Sequence, residues 1–442
     1  MNKFPENWHL FKLKDLSVIG DGAHVSIKRI EMGTLYLTSK NFGKDRLDLS
    51  KVDYISEDDY IKYFKKKSKA LTRPESGDVL LGIIGTIGSP YLVKSTDKFG
   101  LSSSVSIIRA DIAKIDPKYL YYWFKTPLFQ NSLNQIKSGV AQSFLSLAMI
   151  GSLPCAYPQS LPTQQKIARI LSAYNDLIEN NLKRIKLLEE MAQLTYEEWF
   201  VRLKFPEHEK AVINSETGLP EGWEDKELKY FGQVITGKTP PTSIEEYYGS
   251  DVLFIKTPDM AKAPYVLDSA LKLSTKGADT QKGKYLPKNT LLVSCIATAG
   301  VVALTSRPSQ FNQQINAIVF NRESDAFFVY CFAKHLKPLL EALGSNGATM
   351  TNVNKSKFER IKVITPTEEL LISFGQKGAS IFSAIEKLLQ QNQLLKEARD
   401  ILLPRLMTGM INVESLELPE TVANKTTPTA SENSREASIH AL

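Results

Sequence analysis

Residues Thr163–Phe200 read TQQKIARILSAYNDLIENNLKRIKLLEEMAQLTYEEWF. The stretch contains no Pro and no Gly, and Pro162-Thr163 supplies a helix start signal. Leu171, Tyr174, Ile178, Asn181, Ile185, Leu188, Ala192, Thr195 and Trp199 recur at alternating spacings of three and four. That is the heptad seam of a helix that packs lengthwise on another helix. A second such pattern runs over 368–403, with Ile381, Ile385, Leu388, Asn392, Leu395 and Leu402 in its seam. Arg399 interrupts it, and Gly375 and Gly378 weaken its first turns. At 1.5 Å per residue each helix is ~50 Å long, more than a small domain can cover. The two helices are therefore expected to pair with each other, antiparallel, with Asn181 and Asn392 fixing the register.

Outward from these helices the chain is written twice. FPENW (Phe4–Trp8) returns as LPEGW (Leu219–Trp223), 215 residues later. GDVLLGIIGTIGSPYLV (Gly77–Val93) matches NTLLVSCIATAGVVALT (Asn289–Thr305), and YLYYWF (Tyr119–Phe124) matches FFVYCF (Phe327–Phe332). SGVAQSFLSLAMIGSLPCAYP (Ser138–Pro158) runs parallel to NGATMTNVNKSKFERIKVITP (Asn346–Pro366). The order is preserved and the offset drifts slowly, as duplication with small deletions would leave it. The body of each copy has short runs rich in Val, Ile and Tyr between clusters of Gly, Pro, Asp and Ser. Such runs predict short strands with a few helices, one of them near Pro117–Gln130. The expected fold is α+β: two similar mixed α/β domains, each followed by a long helix, the helices forming an antiparallel coiled-coil spacer. The expected segments are 1–160, 161–205, 206–366, 367–412, and a polar tail over 413–442 expected to be disordered.

One motif points elsewhere. Gly232–Thr239, GQVITGKT, fits the phosphate-cradling pattern of ATPases and GTPases. A working phosphate loop opens a helix whose N–H groups face the anion. Here Pro240 and Pro241 follow, and neither has an N–H to donate. Gly237 also lies 215 residues after Gly22 of the GDGAH segment, at the offset of the two Trp-containing openings. A duplicated loop carrying Gly-Ala-His in one copy and Gly-Lys-Thr in the other is not preserving phosphate chemistry. GIIGTIG (Gly82–Gly88) reads as a structural turn with a counterpart in CIATAG.

Hydrophobic residues make up 43% of the 442 and charged residues 23%, ordinary values for a globular chain. The net charge of +7 and pI of about 8.9 are compatible with a polyanionic partner. No apolar run approaches the ~20 residues of a membrane span, and the N-terminus lacks a signal-peptide core. Cys155, Cys295 and Cys331 are scattered in apolar surroundings, as buried thiols of a reducing cytoplasm would be. The five histidines have no metal-ligand spacing, so no metal or cofactor is expected.

Two related but divergent domains held apart by paired helices would suit two unequal DNA half-sites. LPEGW, GDGAH and TGKTP at equivalent places, LTSKNF and LFIKTPDM, GTIG, FNQQINAI, SGVAQSFLSLAMIGSLPCAYP leading into LPTQQKIARIL, and LLPRLMTGMINV occur in this order. With that series, to about Val413, the chain resembles the specificity subunit of type I restriction–modification systems. Departures are Cys155-Ala156 in a usually more aliphatic segment and the missing Gln-Gln at the start of the second spacer. The resemblance implies two target-recognition domains that read a bipartite asymmetric site in double-stranded DNA. It implies helical spacers that dock two methylation subunits, restriction subunits joining the larger assembly, and no chemistry by this chain alone. No adenine-methylation motif or nuclease cluster is present to contradict it. A nucleotide hydrolase using Gly232–Thr239, or a scaffold for protein partners, is the alternative.

Polar loop residues at equivalent places in the two copies are the candidate DNA contacts. In the first copy they are His24, Lys40, Asn41, Lys44, Thr86, Ser103, Gln142 and Ser143. In the second they are Lys238, Thr239, Lys256, Thr257, Thr298, Gln313, Gln314, Thr349, Thr351 and Asn352. YFKKKSK (Tyr63–Lys69) is a candidate phosphate contact. LLEEMAQLTYEEWF (Leu187–Phe200) is a candidate docking face, with packing on a domain the rival role for Trp199 and Phe200.

Overall fold

The computed structural model describes residues 4–43, 46–66, 70–138, 144–344 and 351–417. It divides into two compact units, one of residues 1–173 and 398–442, the other of 174–397.

In the first unit the strands are β1 (Trp8–Lys12), β2 (Ser17–Asp21), β3 (Thr34–Leu37), β4 (Asp53–Ile55), β5 (Val79–Gly82), β6 (Pro90–Leu92), β7 (Phe99–Leu101), β8 (Val105–Ala110) and β9 (Pro154–Pro158). They form an antiparallel sheet β2-β8-β5-β6, a sheet β4-β3-β7 whose β3–β7 pair is parallel, and the pair β1-β9. Side chains alternate across a strand, and the larger sheet buries both faces. Val79, Leu81 and Ile108 enter a core with the helices Pro117–Lys125 and Pro127–Ser138. Leu80 and Ile107 enter a second core with Leu37, Phe99 and Leu101 of the smaller sheet. The helix expected over Pro117–Gln130 is thus two helices. The chain turns at Thr126, before Pro127, because the residue preceding proline is pushed out of helical geometry.

The second unit repeats this plan. Its strands are β10 (Glu224–Glu227), β11 (Gly232–Thr236), β12 (Tyr248–Ile255), β13 (Tyr265–Val266), β14 (Leu271–Leu273), β15 (Leu291–Ser294), β16 (Val302–Thr305), β17 (Ser309–Phe311), β18 (Ile315–Phe320) and β19 (Lys362–Thr365). The sheets are β11-β18-β15-β16-β13, β14-β12-β17 and β10-β19. Leu291, Val293 and Ile318 face a core with the helix Asp325–Ala333, while Leu292, Ala303 and Ala317 face Leu253, Ile255 and Phe311.

Two long helices, Leu161–Tyr196 and Glu368–Leu406, carry the heptad stripes, and a π turn, Glu197–Val201, extends the first. Within the second unit they run antiparallel. Asn181 Nδ2 donates to Asn392 Oδ1 at 3.0 Å, while Trp199 stacks edge-on to Phe374 at 5.8 Å. Ile178, Asn181, Ile185, Ala192, Ile385, Leu388 and Asn392 are buried, and Leu188 and Ile381 pack against them. Tyr174, Thr195 and Leu395 are half-buried. In the first unit Leu171 lies in one core with Leu403, Leu406 and Met407, and Leu402 packs against it. Arg399 stays buried in the stripe, its guanidinium bonded to the Asp400 carboxylate at 2.8 and 2.9 Å. Gly375 and Gly378, weak helix formers, have a packing reason. A Cβ on them would lie 2.5 Å from the Ser324 carbonyl and 2.7 Å from the Phe327 Cβ.

The end of the first helix serves packing. Tyr196, Trp199 and Phe200 are buried in an aromatic cluster with Trp223, Phe328 and Phe374 of the second unit. Of the tail expected to be disordered, residues 418–442 lie outside the described residues.

Candidate nucleic-acid interface

In the first unit, five chain segments meet where β2, β3, β5, β7 and β8 end or begin. Gly22 N donates to Val105 O (3.1 Å), Ala23 N to Leu101 O (2.8 Å), and Ser102 N to Leu37 O (2.9 Å). Ile83 N donates to Ser104 O (2.8 Å) and Leu145 N to Ile83 O (3.0 Å). In the second unit the same five bonds occur. They are Gly237 N to Ile315 O (3.3 Å), Lys238 N to Phe311 O (3.1 Å), Asn312 N to Ile255 O (3.1 Å), Cys295 N to Gln314 O (2.8 Å) and Val353 N to Cys295 O (3.0 Å). Paired bridges, Ile84 to Phe144 and Ile296 to Asn352, complete each cluster. The duplicated text therefore encodes a duplicated loop cluster whose backbone groups are satisfied internally, leaving side chains to face outward.

This geometry accounts for the Gly-Lys-Thr segment. Its first five residues are β11, its Gly237 and Lys238 N–H groups are spent on strand carbonyls, and a 3-10 turn and β12 follow. No helix N-terminus is present to hold a phosphate. A Cβ on Gly237 would lie 2.1 Å from Asn312 O, and one on Gly22 would lie 2.2 Å from Leu101 O. The shared glycine permits a close backbone crossing.

Of the first-copy candidates, His24 is exposed beside Asp21 (Nε2 to Oδ2, 2.8 Å), Lys40 and Thr86 are exposed, and Ser103 is half-buried. In the second copy Lys238, Thr298, Gln313 and Asn352 are exposed, and Thr239, Lys256, Gln314 and Thr351 are half-buried. Thr239 Oγ1 donates to Gln313 Oε1 at 2.6 Å, joining two candidates from separate loops. Lys284 Nζ and Gln281 Nε2 hold the carbonyls of Thr236 and Lys238 at 2.8 and 3.0 Å and so set the path of this loop.

Two candidates do not face outward. Asn41 is buried; its amide accepts from Thr38 N (2.9 Å) and donates to Asp48 O and Lys51 O (both 3.0 Å). It shapes the loop, because its polar atoms replace backbone partners that the turn lacks. Thr257 is also buried, at the start of the turn Thr257–Met260. Lys44, Gln142, Ser143 and Thr349 lie outside the described residues, as do Lys67–Lys69 of the basic run. Lys65 and Lys66 are exposed, and Phe64 is fully buried.

Sequence reading passed over Ser39, Ser104, Asn312, Ile84 and Phe144. Ser39 N donates to Ser104 Oγ at 3.0 Å and its hydroxyl to Ile84 O, while Asn312 and Gln314 bond each other twice, at 3.1 and 3.2 Å. The repeat alignment was the signal that could have found them, since each has a counterpart in the other copy.

The long helices present a second kind of surface. Leu187 and Leu194 of the first are 63% and 57% exposed, with Met191 between them and Glu190 and Glu198 alongside. Leu394 and Ile401 of the second, 207 residues later, are 66% and 55% exposed. Each helix thus leaves large apolar side chains outside its buried seam, Leu187 and Leu194 on the first and Leu394 at the matching place on the second. Among the described residues no cluster of His, Cys, Asp and Glu could hold a metal ion, and no helix is long and apolar enough to cross a membrane.

Comparison with known proteins agrees with this duplicated design. The family model described as the type I restriction modification DNA specificity domain matches residues 5–190 and again 220–399. The chain is 31% identical over 401 residues to the HindI type I restriction enzyme specificity subunit of Haemophilus influenzae, covering 76% of this chain and 87% of that protein. It is 27% identical over 426 residues to a putative MjaX specificity subunit of Methanocaldococcus jannaschii, covering 94% and 96%. A crystal structure of the type I S subunit from M. genitalium matches with a TM-score of 0.55 at 14% identity, over 92% of this chain and 98% of that one.

Proposed function

The chain belongs to the type I restriction–modification DNA specificity family, and from that membership we propose how its parts divide the work. As a specificity subunit it recognises DNA for a methyltransferase and endonuclease complex, assembles with other subunits and does no chemistry itself. The two loop clusters are the readers, each addressing one part of a split, asymmetric site in double-stranded DNA. The observation that carries this is the repeated set of five backbone hydrogen bonds. It holds two frames alike while the side chains on them differ.

In the first reader His24, Lys40, Thr86 and Ser103 face DNA. In the second Lys238, Thr239, Lys256, Thr298, Gln313, Gln314, Thr351 and Asn352 do so. Lysines hold phosphates, and the amides suit the N6 and N7 edge of adenine. The exposed pair Leu187/Leu194 on the first helix and the exposed Leu394 on the second mark the docking faces for two methylation subunits, one on each helix. Their matching exposure supports two like partners. Restriction subunits join that complex, and the whole works in the cytoplasm, where its DNA is. The segments 1–160 and 206–366 act as recognition domains, and 161–205 and 367–412 as spacers.

Sequencing of methylated adenines in the host, with and without this gene, tests the proposal. Loss of one two-part methylation motif is expected. An unchanged methylome, with the partner genes intact, would overturn it.

A further inference from the structure

The two loop clusters share a backbone frame but carry opposite chemistry on it. Where the second has Asn312, Gln313 and Gln314, the first has Ser102, Ser103 and Ser104, matched through the paired bonds to Leu37/Ile255 and Ile83/Cys295. Where the second has exposed Asn352 bridged to Ile296, the first has Phe144 bridged to Ile84. Phe144 is 45% exposed and Ile84 39% exposed. The Ser102 and Ser104 hydroxyls are turned to the loop itself. Ser102 and Ser104 Oγ lie 2.6 Å apart, and Ser104 Oγ takes the Ser39 N–H. Val25, next to His24 in the chain, is exposed as well. The first cluster therefore presents an apolar pair amid hydroxyls, where the second presents amides.

Resting on the reading of these clusters as DNA readers, we infer that the Phe144–Ile84 pair is a specificity determinant for thymine. It recognises the 5-methyl group in the major groove. That methyl is the apolar feature among the base edges displayed there, and apolar side chains are its partners. Phe144 and Ile84 are large apolar groups left in water on the first loop cluster. Covering them with a methyl removes apolar surface from water on both sides. The second cluster, with Asn352 in the place of Phe144, makes no such contact and reads hydrogen-bonding edges instead.

The test uses the complex reconstituted with its methylation subunits and a duplex carrying its own methylation motif. Each thymine is replaced in turn by deoxyuridine, which lacks only the methyl. With the wild-type chain, at least one replacement, confined to one half of the motif, weakens binding roughly three- to fivefold, the worth of one buried methyl. Phe144→Ala weakens binding to the thymine duplex by a similar factor and removes the sensitivity to deoxyuridine. Gln313→Ala leaves that sensitivity in place. The inference is overturned if no thymine in either half responds to loss of its methyl, or if the response persists in Phe144→Ala. Those outcomes still leave sequence-specific binding intact, whereas failure of the DNA-reading role itself shows as equal affinity for a scrambled duplex.

Discussion

Asn181 and Asn392 meet in the seam of the two long helices, with Asn181 Nδ2 3.0 Å from Asn392 Oδ1 and 2.9 Å from Gln391 Oε1. Both asparagines are buried. A polar pair at seam positions gives up stability for a single register, since any slip leaves each amide against apolar side chains. Asn181→Leu is expected to cost about 1–2 kcal/mol by stranding Asn392. Asn181→Leu with Asn392→Leu should recover that loss or exceed it. Thermal unfolding of the two singles and the double measures the coupling, and additive effects would sink the idea.

Gln164 ties the start of the first long helix to its domain. Its buried amide accepts from Asp116 N at 2.8 Å and donates to Lys114 O and Pro158 O at 3.1 and 2.9 Å. Its counterpart 207 residues later, Leu371, is a buried apolar residue. Gln164→Leu leaves three backbone groups without partners and should destabilise the first unit by about 3 kcal/mol. Denaturant unfolding would read the loss, with the reverse pattern, little loss, marking a site that collapses without need of the amide.

Lys238 is exposed on a loop where its own N–H and that of Gly237 are already spent. Lys238→Ala should leave thermal stability unaffected by ATP or GTP, as in the parent. Its effect belongs on DNA: weaker binding across sequences, with the slope of log affinity against log salt reduced by about one. Gly237→Ala, by contrast, forces a Cβ to within 2.1 Å of a carbonyl and should lower stability before it changes any contact.

The exposed apolar side chains on the helices predict a change in mass. Leu187→Glu with Leu194→Glu should remove one methylation subunit from the reconstituted complex, and Leu394→Glu the other. Sedimentation or native mass measurement distinguishes a loss of one subunit from general unfolding. Retention of both in either variant would move the docking face elsewhere.

Cys155, Cys295 and Cys331 are buried, and burial raises each thiol, that of Cys295 to about 11. Above-normal values keep the reactive thiolate scarce at neutral pH. Iodoacetamide at pH 7.5 should label none of the three in the folded chain and all three in denaturant, counted by intact mass. A group whose folded value is raised contributes stability below its unfolded value and loses it as pH rises through the folded one. Alkaline destabilisation should therefore begin above about pH 9.

What was legible in the sequence was whatever depends on local order or on repetition. The stripes at 171–199 and 381–402 state helix and partner together, because a seam that long must meet another seam. The duplication could be read from the ordered series that FPENW and LPEGW open, and their offset alone made Gly237 the counterpart of Gly22. The family was legible for the same reason, as an ordered series of short motifs. Which loop residues face outward was another matter. Asn41 and Lys40 are neighbours in one polar turn, yet one spends its amide on three backbone groups while the other is exposed. Ile84 and Phe144 look like core residues in sequence, and only their bridge at the cluster's rim puts them at the surface. Strand ends far apart in the chain meet through the sheet, and burial is set by that meeting. The chain by itself determined the elements, their repetition and their kinship. The tertiary structure decided which loop side chains are left facing outward, because the hydrogen-bonding needs of a turn are met by residues that only the fold brings within 3 Å.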